Sequence, residues 1–267
     1  MKVLIKGAGD LATGIAYELW RAGIKVVMTD IAVPLTVRRM VAFSRAVYEG
    51  ACQVEDARGC LVHNLEEAVR ETEAGNVAVI VDEKAEIRKE YQPDVLIDAI
   101  MAKRNTGTLI CDAPVVIGIG PGFCAGSDCH YVIETKRGAH LGEIIRQGYA
   151  IPNTGIPGNV GGYTIERLLK APADGKIEPI VEIGDVVEKG QIVAFVGKVP
   201  VSASLTGILR GMLQKGVVVK EGMKIGDIDV RTEKSLCFTI SDKACRIGKS
   251  VIEILQTEDF MQKIKQS

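Results

Sequence analysis

The sequence predicts an α/β protein in which a mostly parallel sheet is followed by a smaller all-β region. Three observations predict it. The chain opens with a strand, a glycine-rich turn and a helix. Apolar runs then alternate with amphipathic stretches to about residue 150. Beyond that, turn glycines recur at a fixed spacing.

Val3-Leu4-Ile5-Lys6 is a short apolar run that meets Gly7-Ala8-Gly9-Asp10, after which Leu11, Ile15 and Leu19 fall at helical spacing. This is the first half of a nucleotide-binding βαβ unit. Gly7 permits the turn, Gly9 admits a pyrophosphate to the backbone, and Ala12 lets helix and strand pack closely. The second strand, Lys25–Asp30, ends on an acid 23 residues after Gly7, placed to hydrogen-bond an adenosine ribose. A Rossmann-like first unit is therefore expected. Asp10 argues against the ligand: at the start of the helix its carboxylate is expected to cap the free N–H groups and to repel a phosphate. Asp30 favours NAD over NADP, a preference that Arg38 and Arg39 complicate.

Further strands are expected at Val77–Val81, Asp94–Ile100, Val115–Gly120 and Tyr131–Thr135, and helices at Pro34–Tyr48, Leu65–Ala74 and Ala139–Gln147. Such alternation implies a parallel sheet covered on both faces, with ligands beyond the carboxyl ends of its strands. Polar or glycine-rich segments stand at several of those ends: Gly7–Asp10, Asp30, Asp98 with Lys103-Arg104-Asn105, and Gly118–Gly126. Gly118, Gly120 and Gly122 flank Pro121 in a loop that serves equally as an anion-binding concavity or as a tight connection between strands. Cys124 is the one cysteine to test for reactivity, although no base is identifiable beside it.

Composition bounds the function. The 267 residues carry a formal net charge of −1, with 47% hydrophobic and 25% charged residues, which leaves no basic footprint for nucleic acid. No apolar run reaches membrane-spanning length and no cleavable leader precedes the first strand, so a cytoplasmic protein with its start intact is expected. Seven cysteines without framework spacing fit reduced thiols. Cys124, Cys129 and His130 match no common zinc pattern, and no metal site is expected.

Ile151–Gly162, with two prolines and four glycines, reads as a linker or crossing loop. After it, Gly175, Gly184 and Gly190 recur at Gly207, Gly216 and Gly222, each 32 residues on. The expected domains are 1–150, a connecting stretch 151–170, a β region 171–232 and a C-terminal segment 233–267 that returns to the first domain. Residues 257–267 are polar and expected to fray.

The repeat resembles the biotinyl/lipoyl family, which implies a β barrel-sandwich-hybrid fold over roughly residues 173–230. Carrier members of that family hold a modified lysine at a hairpin tip, flanked by Met or by Asp and Ala. Here Val196-Gly197-Lys198-Val199-Pro200 lacks those neighbours, so neither lipoate nor biotin is expected at Lys198. Across nearly the whole chain, Gly7–Gly14, Asp98-Ala-Ile-Met-Ala-Lys-Arg-Asn105, Gly118-Ile-Gly-Pro-Gly-Phe123 and Glu134-Thr-Lys-Arg-Gly138 resemble the YqeB-type accessory proteins of selenium-dependent molybdenum hydroxylases, themselves similar to XdhC-type proteins. The resemblance implies a maturation factor that binds or delivers a molybdopterin-type cofactor to a partner hydroxylase. Gly7–Gly9 and Gly118–Gly122 would receive its phosphate or pyrophosphate, Lys103 and Arg104 would add charge, Asn105 would meet a pterin edge, and Cys124 would ligate or shuttle sulfur or selenium. An NAD(P)-binding sensor or scaffold is the alternative. An NAD-dependent oxidoreductase fits less well, since no proton-transfer pair accompanies the fingerprint.

Overall fold

A computed structural model describes residues 1–155, 158–257, 260, 263 and 264. Most of the stretch expected to fray, and residues 156 and 157 of the expected linker, lie outside the described residues. The chain divides into two compact units. One comprises 1–34, 43–154 and 240–267, the other 35–42 and 155–239.

The first unit begins with β1 (Lys2–Lys6), α1 (Asp10–Arg21) and β2 (Lys25–Asp30). A hairpin follows, β3 (Ala51–Val54) and β4 (Ala57–Val62), preceded by the short helix α2 (Ala46–Glu49). Next come α3 (Leu65–Glu73), β5 (Val77–Val81), α4 (Arg88–Tyr91), β6 (Val95–Asp98) and β7 (Val115–Ile119). The short strands β8 (Cys124–Ala125), β9 (Tyr131–Ile133), β10 (Ile144–Ile145) and β11 (Gly148–Tyr149) complete the series. Nine strands form one sheet in the order β10-β9-β7-β6-β1-β2-β5-β4-β3. The strands from β9 to β4 run parallel, and the edge strands β10 and β3 are antiparallel. Val3, Leu4 and Ile5 of β1 are fully buried, as a central strand covered on both faces requires. From β1 the chain builds outward through β2, then crosses back to lay β6 on the other side. The carboxyl ends of β1 and β6 therefore flank the reversal of strand order, where such sheets bind ligands.

The second unit is built from eight strands. They are β12 (Leu168–Lys170), β13 (Gly175–Pro179), β14 (Val186–Val187), β15 (Ile192–Val196), β16 (Val199–Ser202), β17 (Gly207–Met212), β18 (Val218–Val219) and β19 (Lys224–Asp229), followed by the one-turn helix α5 (Ser235–Phe238). They form two four-stranded antiparallel sheets, β12-β19-β17-β14 and β16-β15-β13-β18. The 32-residue glycine spacing has a structural counterpart. Advancing by one repeat takes β12–β15 to β16–β19, and the pairings β13–β15, β13–β18 and β15–β16 become β17–β19, β17–β14 and β19–β12. Gly184, Gly190, Gly216 and Gly222 all have positive φ, which glycine alone adopts without strain.

The helix α6 (Asp242–Leu255) belongs again to the first unit. Ser241 caps it by accepting from the Ala244 N–H, and its apolar stripe (Ala244, Ile247, Val251, Ile254) is buried. It lies parallel to α1 at unusually close range. A Cβ on Gly14 would stand 2.4 Å from the Ala244 Cβ, and one on Gly248 would stand 2.8 Å from the Glu18 side chain.

Two expected helices do not form. Within Pro34–Tyr48, residues 35–42 leave for the second unit, where the Val37 carbonyl accepts from the Met212 N–H and Val37 lies against Gly211; only short turns and α2 remain helical. Within Ala139–Gln147, Gly142 adopts φ +81, and Ile144–Ile145 pair with Val132–Ile133 as an edge strand. The expected connecting stretch 151–170 is also shorter, since β12 already pairs with β19. Within the C-terminal segment, residues 233–239 stay with the second unit and only 240–267 return.

The contact between α1 and α6 sets the first prediction. Gly14→Val inserts three carbons where the Ala244 methyl already stands. Overpacking of this kind costs about 1–3 kcal/mol and should lower the thermal midpoint by several degrees in a calorimetric scan.

Candidate functional site

The loops at the carboxyl ends of β1, β6, β7 and β9 come together in the first unit. A Cβ on Gly7 would stand 3.1 Å from the Ala99 carbonyl oxygen, so the first loop packs on the segment after β6. Gly122 faces the Lys103–Arg104 main chain, 2.6 Å from the Arg104 nitrogen by the same measure, and Gly120 faces Thr135 after β9. Gly7, Gly120 and Gly122 have φ of +94°, +78° and +115°, so no other residue would fit these approaches without strain.

A buried polar cluster anchors this end of the sheet. Lys6 closes β1 and Asp98 closes β6; they are 5% and 1% exposed. The Lys6 ammonium donates to the Thr108 hydroxyl at 2.6 Å and lies 3.3 Å from the Asp98 carboxylate, which accepts from the same hydroxyl at 2.6 Å. The Asp98 carboxylate also accepts from the Ile100 N–H. Asn105 is consumed in the same loop: its carbonyl oxygen accepts from the Gly107 and Thr108 N–H groups, and its amide donates to the Thr108 carbonyl. Its polar atoms serve the loop rather than point outward for a pterin edge. Met101 and Lys103 adopt φ of +64° and +62°, backbone strain stored beside Lys103 and Arg104.

Asp30 takes a different role from the one read in the sequence. Its carboxylate accepts from the Ala8 N–H at 2.9 Å and from the Ile31 N–H at 2.8 Å, so it braces the glycine turn itself. Burial pushes its carboxyl above the usual range, against the pull of those two amides. The helix cap falls on Gly9, not Asp10, which is the first residue of α1. Gly9 has φ −68° and ψ −178°. The amides of Gly9, Leu11 and Ala12 make no hydrogen bond among the described residues, as expected of the first turn of a helix. Ala12 itself is buried in the packing beneath. Gly118 lies inside β7 with its Cα covered by Phe123, so the second loop effectively begins at Gly120.

Cys124 is half-buried, and the loop it opens is tightly bonded. Its N–H donates to Asp128, and its carbonyl accepts from the Ser127 and Asp128 N–H groups. The neighbouring Cys124 thiol raises the Tyr149 phenol above its ordinary range. Cys129 is fully buried, and desolvation pushes its thiol up to about 12. His130 accepts from the Val116 N–H through Nδ1. No grouping of metal-ligating side chains occurs among the described residues.

Sequence reading gave two features no role. Glu134 is buried and fully used, one oxygen accepting from Thr135 and Lys136 and the other from Ile151, each at 2.7 Å. The first turn of α6 is the other. Asp242 pairs with both terminal nitrogens of Arg137 at 2.8 and 2.9 Å, and Lys243 follows it. Only the tertiary fold brings a residue so late in the chain to this place. Elsewhere, Lys198 is exposed at the two-residue turn between β15 and β16.

The fold and these loops define a mixed α/β protein with a large, mostly parallel sheet, additional antiparallel sheets, and amide-bearing loops gathered at strand carboxyl ends. The chain is similar to the uncharacterized protein YqeB of Escherichia coli (strain K12), with 46% identity over 253 residues. That match covers 95% of this chain and 47% of the relative, so the chain spans about half the length of the curated protein it matches. No family model matches. Among solved structures, an aspartoacylase family protein from Mesorhizobium loti is 12% identical, with 85% of this chain and 84% of that chain covered and a TM-score of 0.28. The product-bound ectoine utilization protein EutE (DoeB) from Ruegeria pomeroyi is also 12% identical, with 86% and 85% covered and a TM-score of 0.27. Scores this low carry no inference. No helix among the described residues is long and apolar enough to cross a membrane.

Two outcomes follow from the buried groups. Asp98→Ala strands the Lys6 ammonium without its counter-charge and should cost about 3–5 kcal/mol in denaturant unfolding; adding Lys6→Met should recover much of that loss. For Asp30 the sign follows from its raised folded-state value. The stabilisation that the protonated carboxyl brings is fully present below the unfolded value near 3.8 and is lost as pH rises through the raised one. The stability advantage of the natural protein over Asp30→Asn should therefore shrink as pH is raised from below 3.8 to neutrality, as measured by urea melts at each pH.

Proposed function

We propose that this chain is a YqeB-type accessory protein of a selenium-dependent molybdenum hydroxylase, a cofactor-handling protein more than a classical enzyme. It binds a molybdopterin-type cofactor on a Rossmann-like domain and carries a biotinyl/lipoyl-like barrel that bears neither lipoate nor biotin. The observation that carries the reading is the meeting of the loops after β1 and β7 with the strained loop bearing Lys103 and Arg104. The 46% identity to YqeB over 95% of the chain supports the family assignment. The donor set suits a phosphate or pyrophosphate: the amides of Gly9, Leu11 and Ala12, with the cations Lys103 and Arg104 beside Gly122. In this reading Gly7, Gly9 and Gly120–Gly122 admit the phosphate end, and Cys124 is the sulfur or selenium ligand. Asn105 is left a loop-bracing role, since its polar atoms are already bonded. The barrel serves to dock the hydroxylase in the cytoplasm.

The alternative, an NAD(P)-binding sensor or scaffold, is favoured by one observation. β1, Gly7–Gly9, α1 and β2 follow one another in the order and parallel register of a dinucleotide site. Against it, a ribose would have to share the Asp30 carboxylate with the Ala8 and Ile31 amides.

Native mass spectrometry of protein from molybdate-supplied cells tests both. A retained molybdopterin mass is expected, lost in Gly9→Val and weakened about 10-fold or more in Lys103→Ala. Because Gly9 has ordinary negative φ, valine there obstructs ligand approach without straining the backbone. A retained NAD-sized mass would favour the sensor, and a bare chain would overturn both readings.

A further inference from the structure

We infer that Arg210, the extra residue of a bulge in β17, anchors an oxyanion site in the second unit, and that a phosphate group binds there on Arg210 and the neighbouring Arg38. The inference concerns residues 35–42 and 155–239 alone and does not rest on the cofactor reading of the first unit.

Three segments of the second unit meet at Leu209–Arg210. The segment 35–42 lies against β17: the Val37 carbonyl accepts from the Met212 N–H, and Val37 closes on Gly211. The turn before β14 is tied to Leu209 from both sides. The Gly184 N–H donates to the Leu209 carbonyl, and the Leu209 N–H donates to the Asp185 carbonyl. From α5 the Cys237 thiol reaches the same Leu209 carbonyl. At this point the pairing of β17 with β19 slips. Leu209 stands opposite Ile228 but Gly211 opposite Asp227, so Arg210 is the added residue. A bulge re-aims a side chain, and here it brings the Arg210 guanidinium beside the buried Asp229.

Arg210 is not balanced by that contact. Asp229 already accepts from Arg231 three times, from its N–H at 3.1 Å, its Nε at 2.9 Å and a terminal nitrogen at 2.6 Å. Arg210 stands farther off, 3.5 Å from the same carboxylate. Asp227 is bonded to Arg167 and has Lys224 3.9 Å away. Arg38, beside Arg210, donates to the Leu236 and Thr239 carbonyls. Burial and Arg38 together hold Arg210 below the ordinary arginine range, against the opposing pull of Asp229 and Asp227. The decisive observation is an orphaned donor. The Arg210 side chain is 11% exposed, and its Nε is enclosed by protein without a hydrogen-bond partner among the described residues. Arg39, next along the segment 35–42, repeats the pattern. Its Nε is also enclosed and unbonded among the described residues, and its ion-pair contact is the exposed Glu182 at 3.9 Å. A guanidinium shut away from water with a donor unmet is strongly unfavourable unless an acceptor completes it. Planar forks side by side suit the several oxygens of a phosphate. The Arg231 side chain is 45% exposed, which leaves the cluster open to solvent on that side.

Calorimetric titration of the full chain with inorganic phosphate, and separately with adenosine monophosphate, tests this in a buffer free of other oxyanions. Saturable binding is expected, and the two arms tell whether the site takes the free ion or a phosphate carried on a larger molecule. Arg210→Lys keeps the charge but loses the fork and should bind about 10-fold more weakly, while Arg210→Met should not bind. Thermal melts separate this from a purely structural role. The midpoint of the natural protein should rise with phosphate by mass action. Arg210→Met, relieved of a surplus buried charge, should melt no lower than the natural protein without phosphate and should not respond to it. No saturable binding of either probe, undiminished affinity in Arg210→Lys, or a phosphate response retained by Arg210→Met overturns the inference. If Arg210→Met fails to fold, the affinity of Arg210→Lys decides.

Discussion

The candidate site depends on one buried ion pair. Lys6 and Asp98 close adjacent central strands at the point where strand order reverses, and each is almost wholly removed from water. Neither charge is tolerable there without the other, and Thr108 is drawn in because its hydroxyl bonds both. Securing Thr108 folds residues 99–108 back over the strand ends, where Asn105 ties the turn with three hydrogen bonds. The loop so held presents Lys103 and Arg104 to Gly122 and lays Ala99 against Gly7. The placement of three loops thus follows from satisfying one buried ammonium.

A second constraint is the close approach of α1 and α6. Glycines at 14 and 248 remove the side chains that would keep the helices apart, and Ser241 and Asp242 fix where α6 begins. Helices packed this closely and in parallel oppose each other's dipoles. Asp30 adds a third constraint, since its carboxylate accepts from the Ala8 N–H and so holds the glycine turn against the end of β2.

The legible parts of the sequence were those governed by local periodicity. Val77–Val81 reads as an apolar strand and is one, because a central parallel strand is apolar on both faces. The helix expected at 65–74 forms as Leu65–Glu73, and the structure adds its cap: the Asn64 carbonyl oxygen accepts from the Glu67 N–H three residues on. The glycine repeat of the second half reads equally well, since each turn needs its positive φ regardless of what packs around it. The stretches 34–48 and 139–147 misled because their helical spacing was overridden. Val37 is taken by a strand far along the chain, and Ile144–Ile145 by the free edge of β9.

What the sequence alone determined is the set of local devices: the strand–turn–helix opening, the glycine loops, and the absence of a basic or membrane-spanning surface pattern in its composition. What only the tertiary structure decided is which polar groups are left over. Asn105, Asp30 and Glu134 all looked available or went unnoticed, and each is bonded within the fold. The reason is physical. A polar side chain's role is set by the nearest group that can satisfy it, and in a crossover sheet that group is often a hundred residues away, as Thr108 is from Lys6.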